Sequence, residues 1–246
     1  MEGRFAIDQN CIDIHNNDIR RGADDGIEAD YSMSNCRYMR NRLTNVMRGI
    51  AIAPSLGGPS YVIRNALYNT RIVWQLGRSG SGYVVLHNTS VKSGSAARIE
   101  PSSFCYSRNN LFFGADPRGL IDYVSSWAGY DFDFNGYGAF GGVFSGRLDG
   151  AALDSIETYR KRGFEPHAVA LGADTFAAPV SEPTPIEDEY APPDLRLGKG
   201  SAAIDAGQPL ANINDGFAGA APDLGAFEFG DAPPLYGPRP KYYAGR

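Results

Sequence analysis

Asparagine recurs along the first half of this chain at a spacing that few folds accommodate. Five segments share one pattern: IDIHNNDI, YMRNRLTN, VIRNALYN, VLHNTSVK and YSRNNLFF. Aligned on Asn16, Asn41, Asn65, Asn88 and Asn109, they lie 25, 24, 23 and 21 residues apart. Two residues before most of them stands Ile14, Met39, Ile63 or Leu86. Two residues after stands Leu43, Leu67 or Leu111. That is the period-two alternation of strands with one buried face. A unit of this length built of short strands fits a leucine-rich repeat or a β-helix coil. The leucine-rich pattern is missing. Asparagine suits the tight corner of a β-helix because it tolerates left-handed backbone. Stacked coil on coil, its amide can bond to its neighbours and to the main chain. The five asparagines are therefore expected in one buried row.

A second set of strands alternates with the first: GIEAD (26–30), GIAIA (49–53), IVWQL (72–76) and ARIEP (97–101), each followed or preceded by turns such as PSLGGP and GRSGSG. One coil reads strand, turn, strand, asparagine corner, short strand, loop. This resembles the pectate-lyase-like right-handed parallel β-helix, in which an asparagine ladder occupies that corner. The resemblance covers about half the chain. The expected fold is all-β: a single-stranded right-handed parallel β-helix of about five or six coils, with a C-terminal cap containing one short helix. Fold alone does not assign activity.

Three stretches follow from this reading. Residues 1–120 form the coils. Residues 121–180 form an excursion, with a strand pair in WAGYDFDFNGYGAF (127–140) and a helix in LDSIETYRKRGF (153–164). Asp154 or Ser155 caps that helix and Gly163 ends it. Residues 181–246 hold a proline-rich acidic linker and the segments DLRLGKGSAAIDAGQPL and NDGFAGAAPDLGAFEFG. These resemble the closing segments of bacterial secreted β-helix proteins, and are expected to cover the apolar end of the solenoid. No matching cap is visible at the start, so the chain reads as the C-terminal part of a longer protein or as one whose first coil meets a partner. The resemblance implies a secreted or periplasmic location, although MEGRFAIDQN has no apolar signal core. No apolar run approaches the roughly 18 residues of a membrane span. The formal net charge of -5 argues against a nucleic-acid binder. Cys11 and Cys36 each precede their asparagine by five residues, so they are expected as neighbours on adjacent coils, with free thiols. Oligomeric state is left open.

In pectate-lyase-like proteins the substrate lies along the first sheet and its flanking loops, which implies a polysaccharide partner, with an anionic one favoured. If Ile27, Ile50, Ile72, Trp74 and Ile99 point inward, alternation turns Glu28, Asp30, Ala51, Ala53, Val73, Gln75, Arg98 and Glu100 outward. Asp24 and Asp25, then Arg48, Arg71 and Arg98, stand just before or at the strand starts. GADDGIEAD resembles the calcium motif of one pectate lyase family. By that resemblance Asp24, Asp25 and Glu28 would hold Ca²⁺, whose hard-oxygen chemistry suits them. The family's lysine base is missing from the neighbouring strands, where the expected position reads Gln75, and an arginine would need a strongly depressed pKa to replace it. Polysaccharide lyase chemistry would use Arg48, Arg71 or Arg98 against a uronate carboxylate, with Glu28 and Asp30 among the catalytic candidates. Two of Asp25, Glu28 and Asp30 could instead serve a glycoside hydrolase. A non-catalytic polysaccharide-binding β-helix, with this segment as a solvated turn, is the third reading. A second column precedes the asparagines: His15, Arg40, Arg64, His87 and Arg108. It reads either as a basic stripe for an anionic polymer or as ordinary long polar side chains on an outer face. His15 and His87 stand three coils apart, too far to share a metal, and His167 has no visible partner.

Overall fold

The computed structural model describes residues 9–95, 97–98, 102–115, 120–123, 129–183 and 188–238. Ile99 and Glu100 lie outside these residues, and so does the side chain of Arg98. The chain winds through about five turns of a right-handed parallel β-helix. The first coil contributes β1 (Asp13–His15) and β2 (Asp18–Glu28), the second β3 (Cys36–Met39) and β4 (Arg42–Ile52). The third contributes β5 (Leu56–Ile63) and β6 (Ala66–Leu76). The fourth has β7 (Ser81–Leu86), β8 (Thr89–Val91) and β9 (Ala97–Arg98); the fifth has β10 (Ser103–Arg108), β11 (Leu111–Gly114) and β12 (Ile121–Tyr123). Then follow β13 (Tyr130–Asp133), β14 (Gly136–Ala139), β15 (Gly146–Leu148), β16 (Ala151–Leu153), α1 (Ile156–Lys161) and β17 (Val169–Leu171).

These strands stack into sheets: β1-β3-β5-β7-β10-β13 on one side, β2-β4-β6-β8-β11-β14-β17 on the next, and β9-β12-β15-β16 on the third. The repeat thus continues through β13 and β14, inside the stretch expected as an excursion. The long strands β2, β4 and β6 serve two sides, because each bends at a left-handed residue: Arg21, Asn45 and Asn69.

The asparagine row exists, shifted by one residue at two coils. It runs Asn17, Asn41, Asn65, Asn88, Asn110 and Asn135, so Asn16 and Asn109 are not in it. Each Oδ1 accepts both the main-chain N–H and the Nδ2 of the asparagine before it, at 2.9–3.0 Å throughout. Nδ2 also reaches back to a main-chain carbonyl, as from Asn65 to Tyr38 (2.9 Å) and from Asn88 to Val62 (2.8 Å). Coils one and five carry the doublets Asn16-Asn17 and Asn109-Asn110. The first asparagine of each takes the left-handed turn (φ 59° and 57°) and the second enters the row. The same shift moves Cys11 opposite Asn35, whose amide lies 3.6 Å from its sulfur, and not opposite Cys36. All three cysteines are free thiols. It also turns Leu111 out of the solenoid and Phe112 in, where Phe112 stacks on Tyr137 (5.6 Å) and meets Trp74 edge-on (6.4 Å).

The far end is closed by α1. Ser155 caps it, accepting the Thr158 N–H at 3.1 Å, and Tyr159 is buried against Tyr137 and Phe164. Glu165 ends the asparagine row. Its Oε1 accepts from Asn135 Nδ2 (3.2 Å) and from the Tyr137 hydroxyl (2.6 Å). The closing segment, expected to cover this end, does not lie there. It runs down the side, because Ala66, Tyr68, Val91, Leu111 and Phe113 present a second apolar surface on the outer face of their sheet. Phe176, Leu195, Leu197, Leu224 and Phe227 cover that surface. The strap is pinned from coil five back to coil one. Gly225 N–H donates to the Asn109 carbonyl (2.8 Å), Ala226 N–H to Thr89 Oγ1 (2.9 Å), and Gly237 N–H to the Asn16 carbonyl (2.8 Å). Among the described residues no helix is long and apolar enough to cross a membrane.

Candidate functional site

The acidic segment lies on β2 and the turn after it. A bulge sets its geometry: Gly22 pairs with Val46 and Asp25 with Arg48, so β2 carries one residue more than β4 between these points. Asp24 is left outward, with a side chain 76% exposed, while Asp25 tucks in at 7%. Arg48 sits between them. Its Nη1 donates to Asp24 Oδ1 and, at 3.3 Å, to Asp25 Oδ1. The two carboxylates are therefore compensated by one guanidinium.

The glycine of this motif has a packing cause. Gly26 aligns with Gly49 and Val73, where strands and side chains crowd. A Cβ on Gly26 would meet Leu43 Cδ2 and the Gly49 carbonyl, and one on Gly49 would sit on the Val73 carbonyl oxygen. Ile27, Ile50 and Trp74 point inward as alternation requires. Val73 joins the core as well and Ile72 is half-exposed, the reverse of the expected facing. Ala51 and Ala53, expected outward, are buried.

Glu28 projects outward beside this cluster. Partial desolvation, a hydrogen bond with Asp25 and the negative charges of Asp30 and Asp25 push its carboxyl up to about 7. Asp30 is engaged locally: its Oδ1 accepts the Ala53 N–H at 2.6 Å, and its Oδ2 lies 3.7 Å from Arg78 Nη1. The sequence did not single out Arg78. Arg71 does not join the cluster. Arg48 aligns with Ile72, so Arg71 falls one residue short of the column; it is exposed and makes no ion pair among the described residues. Asp24, Asp25, Glu28, Asp30 and Arg48 are thus brought together, without Arg71.

The expected basic stripe divides in two. His15 and Arg108 lie in the first sheet, in register with Met39, Ile63 and Leu86. The corner column is instead Asn16, Arg40, Arg64, His87, Asn109 and Phe134, all left-handed. His87 is fully buried beneath the strap. Its Nε2 accepts from Asn109 Nδ2 (3.0 Å) and Asn214 Nδ2 (2.8 Å), and burial followed by the nearby Arg64 charge pulls it down to about 3, so it is neutral. Arg108 is spent on Asp131 (2.5 Å) and Gln208 (2.9 Å) and stacks on Tyr106. His167 has a partner that the sequence hid: its Nδ1 lies 2.7 Å from Asp133 Oδ2, and its ring stacks on Phe134 at 4.4 Å.

As a cation site the acidic segment is a poor fit in this arrangement. Arg48 occupies the space between Asp24 and Asp25, and among the described residues no three His, Cys, Asp or Glu side chains converge on one point. As a proton-transfer site it fits better: an outward carboxyl titrating near neutrality, tied to a second carboxylate that an arginine holds in place. Compared with known proteins, the chain matches no family, no curated protein and no solved structure.

Proposed function

We propose that the rim formed by β2, β4 and β6 acts on polysaccharide, and that Glu28 is its proton-transfer residue. The observation that carries this reading is the Glu28–Asp25 pair, with Glu28 raised to about 7 and exposed to a substrate along the sheet. The favoured reaction is β-elimination on a uronate polymer. Ionised Glu28 takes the proton α to the uronate carboxylate, the C–H electron pair becomes a double bond in the ring, and the glycosidic oxygen leaves with its bonding pair and takes a proton from water. A substrate carboxylate would meet Arg71, which makes no ion pair among the described residues, whereas Arg48 holds Asp25 and acts as a positioning residue. Asp30 keeps Glu28 high through its charge. Calcium enters only as a competitor of Arg48 for Asp24 and Asp25, and no step is routed through it.

Glycoside hydrolysis is the second reading. What favours it is the same raised carboxyl, which near neutrality is also a proton donor for a leaving oxygen. Incubation with polygalacturonate separates the two. Unsaturated, ultraviolet-absorbing ends support the lyase, and reducing ends without absorbance support the hydrolase. Glu28→Gln should abolish either activity. Retained polymer binding with no product from the unaltered protein would leave a binding module and end the catalytic reading. Calcium titration of the protein and of Asp25→Ala tests the competitor role; equal affinities would remove it.

A further inference from the structure

The corner column holds a second feature that the rim does not use. Left-handed backbone costs most residues energy, and asparagine is among those it costs least after glycine. At this corner asparagine stands in coils one and five (Asn16 and Asn109), yet coils two and three carry Arg40 and Arg64, at φ 52° and 53°. The same backbone state on adjacent coils, about 4.8 Å apart by strand spacing, brings two guanidinium side chains to one place. They line a cleft of about 320 Å³ between the corner and the strap, faced by Asn214, Phe227, Glu228 and Asp231.

Among the described residues, no carboxylate hydrogen-bonds to either arginine of this cleft. The Arg64 side chain is 16% exposed and has no hydrogen bond to any described residue; its nearest carboxylate oxygen, on Glu228, is 3.9 Å away. A mostly buried guanidinium whose N–H groups open onto a cleft is a ready donor to an oxyanion that enters it. Arg40 makes no ion pair among the described residues and adds a like charge. Burial, and after it the charge of Asp223, raises the Glu228 carboxyl to about 7, so the acid nearest Arg64 is incompletely ionised at neutrality, while Asp231 and Asp223 act on Arg64 through their charge without an ion pair to it. Asn214 is already committed to His87 and to the Leu210 N–H. Two arginines with fixed backbone, in a concave site large enough for one sugar ring, match the bidentate recognition of an oxyanion.

We propose that this cleft is an oxyanion-binding site formed by Arg40 and Arg64 beneath the strap, taking the carboxylate or sulfate of an acidic sugar unit. The oxyanion chemistry stands on the cleft itself; the sugar as its source rests on the polysaccharide reading. The strap then has a role beyond covering apolar surface, because it supplies the outer wall of the site.

The test is calorimetric titration at constant ionic strength, set with chloride, using inorganic sulfate, trigalacturonate and the uncharged maltotriose. Three proteins are compared: the unaltered chain, Arg40→Asn and Glu228→Gln. Arg40→Asn introduces the residue that the same corner carries in two other coils, so it should fold at least as well, as its melting temperature will confirm. The expected result is millimolar binding of sulfate and trigalacturonate but not maltotriose. Affinity should be at least tenfold weaker in Arg40→Asn and two- to threefold tighter in Glu228→Gln. Sulfate binding that is equal in all three proteins, or absent from the unaltered one, overturns the site. Sulfate binding with the expected variant pattern but no trigalacturonate binding upholds the oxyanion site and removes sugar as its source, independently of what the rim does.

Discussion

Two columns of side chains climb the same corner of this solenoid, one residue apart. In the inner column asparagine follows asparagine from Asn17 to Asn135, and every amide answers the one before it. In the outer column the residues are Asn16, Arg40, Arg64, His87, Asn109 and Phe134, which do several different kinds of work. The backbone asks the same of all six outer residues, a left-handed turn, so their diversity is not dictated by the coil. His87 anchors the strap, Asn109 receives it, and the two arginines face a cleft. Repetition here marks what the fold requires, and departure from repetition marks where the coils are put to use.

That contrast can be broken at its strongest point first. Asn88 accepts two hydrogen bonds from Asn65 and donates to Asn110 and Val62. Asn88→Ala should cost about 4 kcal/mol in urea unfolding, since it orphans several buried groups at once. A loss under about 1 kcal/mol would mean the row is decoration. The end of the row gives the next effect. Burial holds Glu165 up at about 7 despite its hydrogen bonds, against an ordinary 4.5. A carboxyl raised on folding contributes stability fully below pH 4.5 and loses it as pH rises through 7. The decline attributable to this residue is about 3 kcal/mol between pH 4.5 and 8. Glu165→Gln should flatten that part of the curve, measured as the difference between the two proteins' stabilities at each pH. A mutant that declines in parallel with the unaltered protein would place the titration elsewhere. The smallest effect has the opposite sign. Arg40→Asn in the outer column should stabilise by roughly 0.5–1 kcal/mol, because asparagine tolerates the left-handed backbone better. A loss of stability there would make Arg40 structural.

The sequence disclosed the period because the buried amide row cannot drift, and it disclosed α1 because Ser155 and Gly163 are local signals. It missed by one residue at Asn16-Asn17 and Asn109-Asn110, where two asparagines satisfy the same corner in either order and only strand pairing decides. The meeting of Arg48 with Asp24 and Asp25 was legible in the coil spacing. The exclusion of Arg71 followed from the same arithmetic: coil two steps to coil three by 24 residues, from Asn41 to Asn65, and Arg71 lies 23 beyond Arg48. The strap was not legible as a strap. It has no period, and its anchors join Asn214 to His87 and Ala226 to Thr89 across more than a hundred residues. Leu111, which the spacing from Asn109 turns into the solenoid, lies with Phe113 on the outer face beneath the strap, because the row takes Asn110 and alternation then turns Phe112 inward.

The central functional claim is that Glu28 transfers a proton near neutrality. The pH profile of kcat/KM on polygalacturonate, for the unaltered protein and for Asp30→Asn, tests it most directly. Asp30 raises Glu28 by its charge, so removing that charge should lower the controlling ionisation. For elimination, where Glu28 is the base, activity should rise with pH through about 7, and the rise should begin at lower pH in Asp30→Asn. A profile with no ionisation between pH 5 and 8, or one that Asp30→Asn leaves in place, would contradict the assignment.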